Sequence, residues 1–121
     1  MVCDTPLNKE SLMSLQARYR LERDKISTFE NEHYYFAYRV ENYEFHILEM
    51  YVIPEKRGFL NIYFDEMYKF VKENFPNTLI MVATVVTDVE NSEKMLMSLL
   101  RYNFKLLKAD NNVITVLWTI K

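Results

Sequence analysis

Residues 43–60 read YEFHILEMYVIPEKRGFL, and the change of rhythm inside that stretch decides the fold. Up to Ile53 it is aromatic, aliphatic and β-branched with no turn former, the composition of a strand. Simple alternation puts His46, Leu48, Met50 and Val52 on one face and Phe45, Ile47, Tyr51 and Ile53 on the other. Both faces then need cover, which places the strand at the middle of a sheet. Residues 54–58 break it. From 59 to 74 the apolar side chains Leu60, Phe64, Met67 and Val71 recur at helical spacing, and Pro76 and Asn77 stop the helix. Residues 78–87, TLIMVATVVT, are apolar on both faces again. A second central strand reached through a helix is predicted to run parallel to the first.

Working outward, residues 33–40 form a strand that pairs with 43–53 as a hairpin across Glu41 and Asn42. Residues 27–32 read as a polar link. Before them, residues 4–26 carry a helical pattern, with Thr5 as cap, Pro6 in the first turn, and Leu12, Leu15, Tyr19 and Ile26 on one stripe. The mixed charges Arg18, Arg20, Glu22, Arg23, Asp24 and Lys25 form either a docking surface or an ordinary solvated face. After the second central strand, a helix at 92–102 presents Met95, Leu96, Leu99 and Leu100 to the sheet, and Asn103 is placed to take the left-handed conformation that ends helices. Residues 104–109 and 113–120 close the chain as a hairpin around Asp110, Asn111 and Asn112. The expected architecture is a single α/β domain over residues 1–121: a mixed sheet with flanking helices, a central parallel strand pair and a C-terminal β-hairpin.

Composition narrows the function. The chain has 121 residues, half of them apolar or aromatic, a net charge of -2, nine Tyr, eight Phe and a single Gly. The balanced charge supplies no basic field, so nucleic acid is not an expected partner. No run is long and apolar enough to span a bilayer, and the chain from Met1 lacks a basic region followed by an apolar one, so neither membrane nor secretory signal is expected. One cysteine, Cys3, allows no internal disulfide and fits a reducing, cytoplasmic setting. Two histidines, His33 and His46, without a Cys/Asp/Glu cluster at ligand spacing, support no metal site.

The order helix, β-hairpin, helix, strand, helix, β-hairpin resembles the GNAT superfamily of acyl-coenzyme A N-acyltransferases, and residues 51–104 carry the more specific likeness. In that family a central strand runs into Val-x-Pro-Glu and then an Arg-Gly-x-Gly-x-Gly/Ala loop; here residues 52–58 read VIPEKRG. Downstream, the family's Asn, short helix and Gly-Phe are matched by Asn91, the helix at 92–102 and Asn103-Phe104. The resemblance implies a coenzyme A site at Val52, Arg57, Gly58 and Asn91, with acetyl-CoA as cosubstrate and an amine as acceptor. Small, divergent members of this kind are familiar from phage genomes.

Two departures from the pattern imply weak or absent activity. The loop's later glycine positions fall on Leu60 and Ile62, whose side chains stand where the family admits pyrophosphate to backbone amides at a helix start. Leu60 also reads simply as part of the core stripe. The family's general-acid tyrosine, four residues before the Gly-Phe glycine, falls on Leu99, which has no proton to give; Tyr102 nearby reads as a packing or surface residue. The remaining catalytic candidate is Glu49, alone among apolar neighbours on its face and on the strand where the family often places its general base. It serves either as that base or as a carboxylate that reaches solvent or meets the Tyr34 hydroxyl. A GNAT-like protein that has lost catalysis and acts as a structural or interaction module is the alternative, with a protein partner in place of an amine.

Overall fold

The computed structural model describes residues 15–87 and 92–120. In chain order the elements are α1 (Leu15–Arg23), β1 (Ser27–Glu30), β2 (Tyr34–Glu41), β3 (Glu44–Val52), a 3-10 turn (Pro54–Phe59), α2 (Leu60–Asn74), β4 (Ile80–Val86), α3 (Ser92–Tyr102), β5 (Lys105–Asp110) and β6 (Val113–Thr119). The six strands form one sheet in the order β1-β2-β3-β4-β6-β5. Every neighbouring pair is antiparallel except β3 and β4, which run parallel at the centre, as expected from their two-sided apolar character.

That central pair is joined along only part of its length. Pairing runs from Glu44 with Ile80 to Ile47 with Ala83 and then ends, although β3 continues to Val52 and β4 to Val86. Beyond Ile47 and Ala83 the two strands part, and the middle of the sheet opens.

A bulge sits at the same place. Ala37 pairs with Glu49 and Tyr38 with Ile47, which leaves Leu48 as an extra residue on β3. Because side chains alternate with a period of two, one extra residue turns every later side chain to the other face. Phe45 and Ile47 therefore share the α2 side of the sheet with Met50 and Val52, while Glu49 and Tyr51 turn to the opposite face. The expected grouping of Glu49 and Tyr51 with Phe45 and Ile47 is corrected accordingly. His46, paired with Arg39, falls on the same face as Glu49.

The α2 side holds the main core. Tyr34, Phe36, Phe45, Val52, Met81, Ala83, Val85 and Val116 from the sheet meet Tyr63, Phe64, Met67 and Val71 from α2 and Leu99 from α3. Aromatic rings dominate one end, where Phe36 lies 5.1 Å from Phe29 and 5.7 Å from Phe70, centroid to centroid. Such offset and edge contacts add directional preference to the burial itself. On the other face, α1 inserts only Leu21 of its described side chains, against Tyr35 and Ala37 with Ile26 beside them. Tyr19, expected on the packed stripe, is 68% exposed instead, and the earlier part of that stripe, with Cys3, Thr5, Pro6 and Leu12, lies outside the described residues.

Three local expectations shift. Residues 27–30, read as a link, form the edge strand β1 against β2. The hairpin turn is Asn42-Tyr43, with Asn42 at φ 55°, because Glu41 pairs with Glu44. Asn103 does not adopt the left-handed conformation; among the described non-glycine residues Lys25, Asn42 and Asn111 do, and α3 closes through the Phe104 N–H donating to the Leu99 carbonyl at 3.2 Å.

Candidate active site at the open end of the central strands

The parted strands expose main-chain groups that a sheet interior normally satisfies. Ile53 N–H donates to the His33 carbonyl on the β2 side, so by alternation the N–H and C=O of Val52 turn toward the opening left by β4. Val52 itself packs its side chain in the core. Its carbonyl is not free: Arg57 Nε donates to it at 3.0 Å, and the Arg57 guanidinium lies over the Tyr51 ring at 5.7 Å. Two of the expected coenzyme residues thus meet directly.

Pro54 forces the chain out of the strand, and the 3-10 turn carries it straight into α2. Phe59 caps α2 without a side-chain hydrogen bond, and no acidic residue stands in the first turn. Lys56 and Arg57 stand in the turn just before that helix start, where its dipole is positive. Gly58 has no positive φ, and a Cβ placed on it would meet nothing within 4 Å. Neither backbone strain nor packing in the protein itself requires glycine there; the space beside it is open.

The two bulky residues at the family's glycine positions behave differently. Leu60 leans onto the core beside Phe64 and Met67, whereas Ile62 is 52% exposed. Leu60 is therefore part of the core stripe. Leu99 is buried in the main core. Tyr102 donates its hydroxyl to Asp65 on α2 and packs against Phe64 and Trp118. Burial first, and then the hydrogen bond to Asp65, hold the Tyr102 phenol above its usual pKa. Asn91 lies outside the described residues.

Glu49 stands on the β3 segment that borders the opening, one residue past the bulge, with its carboxylate on the α1 face. Arg20 Nη2 donates to its Oε2 at 2.7 Å and the Tyr35 hydroxyl to its Oε1 at 2.7 Å. A tyrosine does meet it, but Tyr35 in place of Tyr34: Ala37 is the residue opposite Glu49, and the Tyr34 hydroxyl crosses to Glu66 on the other face. Burial, followed by the bond to Glu49, raises the Tyr35 phenol, and the hydrogen bond and charge of Glu49 hold Arg20 still more firmly protonated. Arg20 and Tyr35 are the site residues that sequence reasoning missed. Arg20 is one charge among six on a mixed face, and Tyr35 reaches Glu49 only because of a bulge that alternation does not reveal.

No helix among the described residues is long and apolar enough to cross a membrane, and among them no three His, Cys, Asp or Glu side chains gather as a metal group.

No family model matches the chain, and no curated protein resembles it significantly in sequence. Its fold has clear counterparts among solved structures. It is similar to the PaiA N-acetyltransferase from Thermoplasma acidophilum, a structure in complex with coenzyme A, at 14% identity with a TM-score of 0.59, covering 89% of this chain and 80% of that one. It is similar to a putative GNAT-family acetyltransferase from Bacteroides thetaiotaomicron, at 14% identity with a TM-score of 0.62 over 94% of this chain and 74% of that one. A GNAT-family acetyltransferase from Listeria monocytogenes 4b F2365 is similar at 13% identity and a TM-score of 0.57, over 88% of this chain and 70% of that one. The chain adopts the GNAT fold, far diverged in sequence.

Proposed function

We propose that this protein is an acyl-coenzyme A N-acyltransferase of reduced activity. The observation that carries the reading is the parting of β3 from β4 beyond Ile47 and Ala83, with Glu49 on the bordering segment. An extended amide-bearing arm such as pantetheine can lie along the β3 edge there, and the open space at Gly58, the start of α2 and Lys56 and Arg57 suit its phosphates. Acetyl-CoA is the cosubstrate and an amine the acceptor. Glu49 takes a proton from the acceptor's ammonium, and the amine nitrogen attacks the thioester carbonyl. The C–N bond forms, the C–S bond breaks, and the thiolate leaves. Leu99 gives no proton to that leaving group, so water must, which lowers the rate. The loop's missing glycines, at Leu60 and Ile62, lower the affinity.

The test combines two measurements on the full chain. A ligand that binds only the native state stabilises it by about RT ln(1 + [L]/Kd), so a thermal shift should first emerge near millimolar acetyl-CoA. Thiol release with an amine acceptor should be slow but abolished in Glu49→Gln. If millimolar acetyl-CoA produces no shift, the reading fails. One observation favours a second reading, a non-catalytic interaction module: Leu99 is sealed in the core and Tyr102 is committed to Asp65, so neither side chain offers an acid to the cleft.

A further inference from the structure

The cation that Glu49 meets in the free protein is the chain's own. Arg20 occupies Oε2 and Tyr35 occupies Oε1, each at 2.7 Å. With Arg20 in place the charge of the carboxylate is already answered, so an incoming ammonium has to compete with the guanidinium for Oε2. Tyr35 is fixed by its strand, packed at 6.0 Å from the Tyr51 ring and against Leu21. Arg20, on a helix at the surface, is the partner that can go. Its guanidinium matches a substrate ammonium in charge, and its Nη2 stands at ordinary hydrogen-bond distance from the carboxylate.

We infer that Arg20 is an internal stand-in for the acceptor's ammonium group, and that α1 is a gate which a cationic primary amine must displace to reach Glu49. This rests on Glu49 being the carboxylate that meets the acceptor amine, as proposed above. The gate is built to release. The paired side chains are 46% and 29% exposed, and ion pairs in contact with water are weak and screened by salt. Of the α1 side chains from Tyr19 to Arg23 only Leu21 is buried. A neutral or anionic acceptor has no charge with which to compete for Glu49 and is selected against.

With the guanidinium displaced, the acceptor ammonium passes one proton to Oε2 and its nitrogen forms the C–N bond as the C–S bond breaks. The nitrogen's surplus proton goes to water, and the thiolate takes one from water.

The test uses the full chain as wild type, Arg20→Ala, Arg20→Lys and Glu49→Gln, with acetyl-CoA as donor and n-butylamine as the cationic acceptor. Arg20→Ala should raise kcat/KM for butylamine by about fivefold, the upper end of what an exposed ion pair contributes, with the KM for acetyl-CoA unchanged. Arg20→Lys should return to the wild-type rate. Raising ionic strength from about 0.05 M to about 0.5 M should slow Arg20→Ala, where salt screens only the attraction of the ammonium to Glu49, more than the wild type, where it also loosens the Arg20 pair. Independently of turnover, butylamine should accelerate amide hydrogen exchange across α1 in the wild type but not in Glu49→Gln. An Arg20→Ala variant that is folded and no faster than wild type overturns the gate. If acetyl-CoA produces a thermal shift yet no variant transfers the acyl group, the assignment of Glu49 as base fails, and the exchange measurement decides the gate by itself: acceleration keeps it and no acceleration overturns it.

Discussion

Tyr34 and Tyr35 are neighbours in sequence, and each donates its hydroxyl to a glutamate at 2.7 Å, yet they do opposite work because they face opposite sides of the sheet. Tyr34 is buried between Phe29, Phe36 and Tyr63, and its bond to the exposed Glu66 ties β2 to α2 at the rim of the aromatic core. Tyr35 stands under a short helix beside the half-open Tyr51 ring, and its carboxylate partner is shared with a surface arginine. Neither carboxylate is enclosed, since Glu66 is exposed and Glu49 half-buried. What separates the two bonds is that Glu49 also holds Arg20 and stands beside the opening between β3 and β4.

The largest expected effect falls on the open side. Glu49→Gln keeps the size of the side chain and should reduce transfer by about 10²- to 10⁴-fold, the usual range for a lost general base. Its urea midpoint should stay close to wild type. Glu66→Gln, the matching change on the α2 side, should leave the rate untouched; equal losses from the two variants would break the contrast. The core side should dominate stability instead. Phe36, fully buried among five rings, should cost about 3–5 kcal/mol on truncation to Ala. Tyr51→Ala on the open side should cost about 1 kcal/mol. Equilibrium urea denaturation of both reads the difference.

Alkaline pH sharpens the comparison further. Both phenols are raised above the ordinary value of 10.0, by burial first and by the carboxylate hydrogen bond second. The native state keeps protons that the unfolded chain releases near pH 10. The stability they contribute is therefore complete below that pH and is lost as pH rises beyond it. Tyr34→Phe and Tyr35→Phe should each be about 1 kcal/mol less stable at neutral pH, and each should lose less than wild type when unfolding is repeated at about pH 10.5. Parallel curves for wild type and variants would contradict the assignment.

The smallest change in stability is expected at Gly58. Its backbone is acceptable to any residue and a Cβ there meets open space, so Gly58→Ala should leave stability unchanged or raise it by up to about 1 kcal/mol. The same methyl should weaken acetyl-CoA binding in a thermal-shift titration, because it occupies the space next to the α2 amides. Unaltered binding would place the phosphates elsewhere.

What the amino-acid order determined by itself is the set of elements and the central parallel pair. Periodicity is a local property, and residues 43–53, 59–74 and 78–87 each bury enough apolar surface to declare their form. The VIPEKRG junction and its distance to Asn103-Phe104 likewise point to the fold. β1 escaped because Ser27 to Glu30 is short, polar and half exposed, and becomes a strand only by pairing with β2. Tertiary structure alone decided the site. The bulge at Leu48 arises from matching β3 to β2 across space, and that one extra residue moved Glu49 and Tyr51 to the α1 face. It took Glu49 from the apolar setting that alternation implies to the reach of Arg20 and Tyr35. A carboxylate's chemistry is set by the groups within a few ångströms of it, and those groups come from parts of the chain that only folding brings together.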